Sequence, residues 1–137
     1  MLKKSKGEPI KPIPANVERI GRLVLDNVYK VHSTLGPGLL ESVYESCLAY
    51  ELRQSGILVE TQVAFPITYK DMQVESGLCL DMLVGKCVIA EIKSVENWNL
   101  LYEAQLLTYL RITGVRLGYL INFNVLHLKN GIKRRVV

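Results

Sequence analysis

The stretch from Leu78 to Lys93 constrains this chain more than any other, because its apolar residues alternate on both sides of a glycine turn. Leu78, Leu80, Met82, Val84, Val88, Ala90 and Ile92 take even positions, and Asp81, Glu91 and Lys93 take odd ones. Strand side chains alternate between faces, so the pattern predicts a β-hairpin whose even residues face a core while the three charged residues gather on the other side. With Gly85-Lys86-Cys87 as a three-residue loop, Asp81 stands opposite Glu91, and a slip of one residue would send the acids to opposite faces. Two carboxylates side by side repel each other and gain nothing structurally, so their expected use is to hold a hard cation. The nearby lysine points to phosphate chemistry.

The rest of the chain reads as helices and strands around this hairpin. Val17, Ile20, Val24, Val28 and Val31 recur at helical spacing, which predicts a helix from an Asn16 cap to about His32. Leu35-Gly36-Pro37-Gly38 interrupts the chain, and a second helix is expected from Leu39 to Ser55. Its stripe is Leu40, Val43, Tyr44, Cys47, Leu48 and Leu52, with Glu41 falling inside it and Glu45 at its border. Glu41 is then either a carboxylate favoured by the helix N-terminus or an acid held for a partner.

Ile57 to Tyr69 reads as a strand that Pro66 restricts to an edge or a bulge, and Asp71 to Gly77 reads as a turn region. After the hairpin, Asn97 or Asn99 caps a third helix ending at Gly114. Arg116 to Asn124 forms the next strand and Gly131 to Val137 a short last one. The order predicts an α/β protein with a mixed central sheet flanked by helices. Residues 1–14, with three prolines and a run of lysines, are expected to be a flexible basic arm ahead of a single domain over 15–137.

Composition narrows the function classes. At 137 residues the chain is long enough for one core without staples. It has no apolar run of about eighteen residues and no segment of signal-peptide length at its start, so it reads as cytoplasmic, with no membrane partner. Cys47, Cys79 and Cys87 form no CxxC pair, and His32 and His127 are far apart, so any metal is expected on oxygen ligands. The net charge is +4, with Lys133, Arg134 and Arg135 clustered at the end, either as a grip for a polyanion or as a solvated tail.

Asp81 followed by Glu91-Ile92-Lys93 resembles the core signature of the PD-(D/E)XK nuclease superfamily. Gln105-Leu106-Leu107-Thr108-Tyr109 resembles the QxxxY element that follows it in exonuclease-like members, and Gly38-Leu39-Leu40-Glu41-Ser42-Val43-Tyr44 resembles the GxxExxY signature of a small branch. Leu80 stands where the superfamily's name has proline. The resemblance implies that Glu41, Asp81, Glu91 and the main-chain carbonyl of Ile92 hold Mg2+, with Mn2+ as a substitute. It further implies that Lys93 positions the attacking water and that Gln105 and Tyr109 support the site.

The chemistry has its own logic. A phosphodiester repels hydroxide, so hydrolysis needs a cation that offsets charge and acidifies a bound water. Trp98, in a polar turn after the hairpin, is expected to meet nucleic acid, whereas Tyr44, Tyr69, Tyr102 and Tyr119 read as core residues or stacking platforms. His32 reads as a helix-end cap or a group acting on the leaving oxygen. The function expected is a metal-dependent nuclease acting on single- or double-stranded DNA, as a homodimer or within a larger assembly. A catalytically weak nucleic-acid-binding module of the same fold is the alternative.

Overall fold

The computed structural model describes residues 9–137. Apolar periodicity and turn residues produce the elements in the order α1 Ala15–Leu35, α2 Glu41–Gln54, β1 Val59–Tyr69, β2 Met72–Val84, β3 Val88–Lys93, α3 Leu101–Thr113, β4 Leu117–Asn122, a 3-10 turn Leu128–Gly131, and β5 Ile132–Val136. The five strands form one sheet in the order β1-β2-β3-β4-β5. Only the β3–β4 pair is parallel, and α3 makes the crossover between those two strands. The α/β expectation and the mixed sheet both hold.

Helices cover both faces. Val17, Ile20, Val24 and Val28 of α1 and Tyr44, Leu48 and Leu52 of α2 bury one face, with Met82, Val84, Val88, Ala90 and Ile92 beneath them. Leu106 and Leu110 of α3 bury the other, over Leu78, Leu80, Ile89 and Leu120. All six residues of β4 are buried, as a central strand covered on both sides requires. The helices approach it closely: a Cβ on Gly21 would lie 2.9 Å from Leu117 and from the Tyr119 hydroxyl, and one on Gly118 would lie 2.9 Å from Leu106.

Several boundaries depart from expectation. The turn region expected over 71–77 is narrower: Tyr69 already pairs with Met72, so β2 begins at Met72 and its first residues form a long two-stranded arm with β1. Left-handed Lys70, at φ +53, lets the chain reverse that tightly. Pro66 sits at the register shift between Phe65 and Ile67 on the edge strand, as its missing N–H demands. In the expected basic arm, residues 1–8 lie outside the described residues. Further along it, the Arg116 guanidinium donates to the carbonyls of Lys11 and Pro12.

The even residues of β2 do not share one core. Leu78 and Leu80 pack under α3, while Met82 and Val84 pack under α1 and α2. β1 changes sides at the same level, with Val63 and Phe65 against the α3 cluster and Val59 in the other. Thr61 pairs with Met82 and Val63 with Leu80, so Gln62 lies across from Asp81 at the switch, and Gln62 carries φ +51. One left-handed residue in a strand shifts the pleat, which a period of two cannot foretell.

Candidate active site

The hairpin register is the expected one: Met82 pairs with Ala90 and Val84 with Val88, leaving Gly85-Lys86-Cys87 as the loop. Continued by one step it sets Asp81 against Glu91, where side chains take over from the ladder. The Asp81 N–H donates to Glu91 Oε2 at 2.7 Å, and the Ile92 N–H donates to Asp81 Oδ2 at 2.8 Å. The expectation that paired acids gain nothing structurally is therefore corrected: each carboxylate satisfies a backbone donor where the strands part. Each spends one oxygen in this way, and the other accepts no hydrogen bond from the described residues.

Glu91 is 4% exposed, deep enough that solvation of its charge decides its protonation. Burial first, then the neighbouring Asp81 charge, pushes its carboxyl up to about 8; Glu45 adds to the rise, while the backbone hydrogen bond and Lys93 oppose it. The Ile92 carbonyl faces the same gap. Lys93 C=O accepts from Phe123 N–H on the β4 side at 2.9 Å, so Ile92, one residue earlier, turns both its polar groups toward β2.

Lys93 and the third helix complete the α3 side. Lys93 Nζ lies 4.8 Å from the centre of the Tyr102 ring. Burial, followed by the charges of Glu91 and Asp81, raises the Tyr109 hydroxyl above its ordinary range, while a hydrogen bond from Gln105 works against the rise. The Tyr109 hydroxyl therefore lies near the acids, with Gln105 hydrogen-bonded to it. Asn99, one residue ahead of the Leu100 N-cap, accepts the Leu101 N–H through Oδ1 at 2.9 Å, and Gly114 ends the helix in the left-handed conformation.

The α2 side differs from expectation. Leu40 is 74% exposed, and Glu41 is exposed rather than trapped in an apolar stripe. Glu41 Oε1 accepts the Ser94 N–H at 3.3 Å, and Ser94 Oγ donates to Leu39 O at 2.6 Å, which ties this helix start to the residue after Lys93. The α2 acid whose charge bears on Glu91 is Glu45. Gln62 Nε2 donates to both Glu45 oxygens at 3.1 Å. Among the described residues no group of three or more His, Cys, Asp or Glu side chains closes on one point, so Glu41, Asp81 and Glu91 do not form a ready cluster. Glu45 and Gln62 were missed in the sequence; the one signal was Glu45's place a helical turn after Glu41.

The model of the PD-(D/E)XK nuclease superfamily matches residues 18–135. The chain belongs to the PD-(D/E)XK nuclease superfamily. No curated protein and no solved structure matches it. The superfamily match spans every element described above from α1 to β5, so the Asp81–Glu91 gap, Lys93 and the α3 face lie within a nuclease fold. Among the described residues no helix is long and apolar enough to cross a membrane.

The donor set fits the divalent cation that PD-(D/E)XK nucleases use. Two free carboxylate oxygens and a main-chain carbonyl offer hard oxygen ligands, and a dication between them would reverse the rise at Glu91.

Of the residues expected to grip nucleic acid, Trp98, Lys133 and Arg135 gather about Glu103 and Arg134 lies on the opposite face. β5 alternates, so Arg134 ion-pairs with Glu18 of α1 at 2.8 Å while Arg135 pairs with Glu103 of α3 on the opposite face, and Lys133 shares that second side. Trp98 donates through Nε1 to Glu103 at 3.1 Å and meets Tyr102 edge-on at 5.2 Å. Tyr44 and Tyr119 are core residues, at 0% and 2% exposure. His32 neither caps its own helix nor faces the acids: its Nε2–H donates to Val125 O at 2.8 Å.

Proposed function

We propose that this protein is a metal-dependent nuclease that hydrolyses phosphodiester bonds of DNA. The observation that carries the reading is the exchange between Asp81 and Glu91, which holds two acids together at a break in the ladder with Lys93 two residues on. Asp81, Glu91 and the Ile92 carbonyl would hold Mg2+ or Mn2+, with Glu41 or Glu45 approaching from α2. Bound there, the cation offsets charge on a phosphate oxygen and lowers the pKa of a water.

The remaining work falls to side chains. Lys93 Nζ donates to the attacking water and orients its lone pair toward phosphorus. Gln105 and Tyr109 donate to phosphate oxygens, with Gln105 holding the Tyr109 hydroxyl in place. The ties among Glu41, Ser94 and Leu39 fix the end of β3, so Lys93 projects from a braced backbone.

The test is cleavage of labelled single-stranded and double-stranded DNA with Mg2+ or Mn2+, comparing the native protein with Lys93→Ala. Metal-dependent products that disappear in the variant support the nuclease reading. A second reading, a catalytically weak binding module that acts in a larger assembly, is favoured by the dispersal of the α2 acids. It prevails if both proteins shift DNA and neither cuts.

A further inference from the structure

Between α1 and the 3-10 turn lies a cavity of about 310 Å3 that is wide open to solvent. Tyr29, His32 and Ser33 line it from α1, and Leu126, His127 and Lys129 from the segment after β4. That volume is at the lower end for small-ligand sites, roughly 300–1,000 Å3. No acid lines it.

Its polar groups divide into two sets. His32 gives its Nε2–H to Val125 O and Ser33 gives its hydroxyl to Lys30 O at 3.1 Å, so both serve the walls. Lys129 and His127 are exposed, and together with Tyr29 they provide the donors that remain. A cavity with surplus donors and no acid selects an anion.

The cavity is registered to the Asp81–Glu91 site. Phe123 donates its N–H to Lys93 O, and its ring stacks on Tyr44 at 4.4 Å and lies 6.4 Å from the His32 ring. One residue therefore separates the catalytic strand from the cavity wall. Asn122 adds a second tie, since its Oδ1 accepts from Val95 N–H and Asn124 N–H while its Nδ2 donates to Val95 O. The segment carrying His127 and Lys129 is thus fixed to the loop that follows Lys93.

We propose that this cavity receives a phosphate group of the same nucleic-acid strand that Asp81 and Glu91 act on, with Lys129 and His127 as its ligands. The inference rests on the nuclease reading and extends it, because a strand gripped beside Phe123 is held at the end of β3 that carries Lys93. The site needs no base, so it is indifferent to sequence.

Two measurements test it. The first is binding of a fluorescein-labelled single-stranded oligonucleotide in EDTA, for the native protein and for a His127→Gln/Lys129→Gln double variant of exposed residues. The variant is expected to bind about tenfold more weakly, and its slope of log affinity against log salt should fall by about 0.7, one phosphate contact on a single strand.

The second is a titration of inorganic phosphate into the native protein at constant ionic strength, followed by the NMR ring resonances of its two histidines. Saturable shifts of His32 and His127, lost in the double variant for His32, support the cavity as the anion site. Unchanged oligonucleotide affinity and slope in the double variant overturn the inference while leaving the nuclease reading intact. If the native protein binds no oligonucleotide yet phosphate moves both rings, the inference is overturned as to the strand and free phosphate is the ligand, while the nuclease reading is still decided by the cleavage assay.

Discussion

Gln62 stands across the sheet from Asp81 in a left-handed conformation, at φ +51, and its amide holds both oxygens of Glu45. Such a backbone costs a residue with a Cβ on the order of 1 kcal/mol. The strained residue thus marks the point where β1 and β2 change sides and where an α2 acid is aimed at Glu91.

Gln62→Gly separates those roles. Relief of the backbone offsets the lost hydrogen bonds, so stability should stay within about 1 kcal/mol of the native value. Cleavage should fall about tenfold as Glu45 loses its orientation. Denaturant unfolding and single-turnover cleavage on the same preparation check both, and unchanged cleavage would remove Gln62 and Glu45 from the site.

Glu91 predicts how stability varies with pH in the metal-free protein. Its folded carboxyl is raised to about 8 from an ordinary 4.5, so between those limits the folded state binds more protons than the unfolded one. Stability is therefore fully present below about pH 4.5 with respect to this group and declines as pH rises toward 8, by on the order of a few kcal/mol. Urea midpoints at pH 5.5 and 8.5 should show the drop, Glu91→Gln should flatten it, and Mg2+ should restore the midpoint at pH 8.5.

Metal binding and chemistry should separate by residue. Isothermal calorimetry with Mn2+ should lose its heat in Asp81→Asn, because the acid removed is both the proposed ligand and the acceptor for Ile92. Lys93→Ala should bind the ion normally and fail to cut. Equal loss of binding in both variants would give Lys93 a structural role.

Tyr44 is testable on stability alone. Its buried hydroxyl donates to Gly36 O at 2.6 Å and accepts from Leu39 N–H at 3.1 Å, which fixes the Gly36–Leu39 turn that Ser94 also holds. Tyr44→Phe leaves both groups unmet and should cost about 2 kcal/mol in a thermal or urea unfolding measurement. A cost near zero would mean that water takes over both bonds.

What the sequence made legible follows from locality. The hairpin register could be read because period-two alternation and a glycine loop fix it within a few residues, and α3 could be read from Asn99, Gly114 and the spacing of Gln105 and Tyr109. The division of Leu78 and Leu80 from Met82 and Val84 could not, because it depends on the backbone of Gln62, a residue type with no preference for the left-handed region. Arg134 and Arg135 looked like a free basic pair because their partners, Glu18 and Glu103, come from distant helices. Glu41 looked trapped because a helical wheel treats Leu40 and Val43 as core, whereas the sheet lies under Tyr44, Leu48 and Leu52.

The hairpin has a consequence in time. Asp81 and Glu91 are ten residues apart, a separation that an unfolded chain closes in roughly 10–100 ns and that a hairpin locks in microseconds. Lys93 gains its brace at Phe123, and Tyr109 its position, only after α3 has crossed the sheet and laid β4 parallel to β3, a slower kind of pairing. The acids therefore exist as a pair, open to water, before the groups that would use them arrive. A divalent cation bound by them as proposed would favour the hairpin at that stage, and so would take part in building the protein as well as in its chemistry.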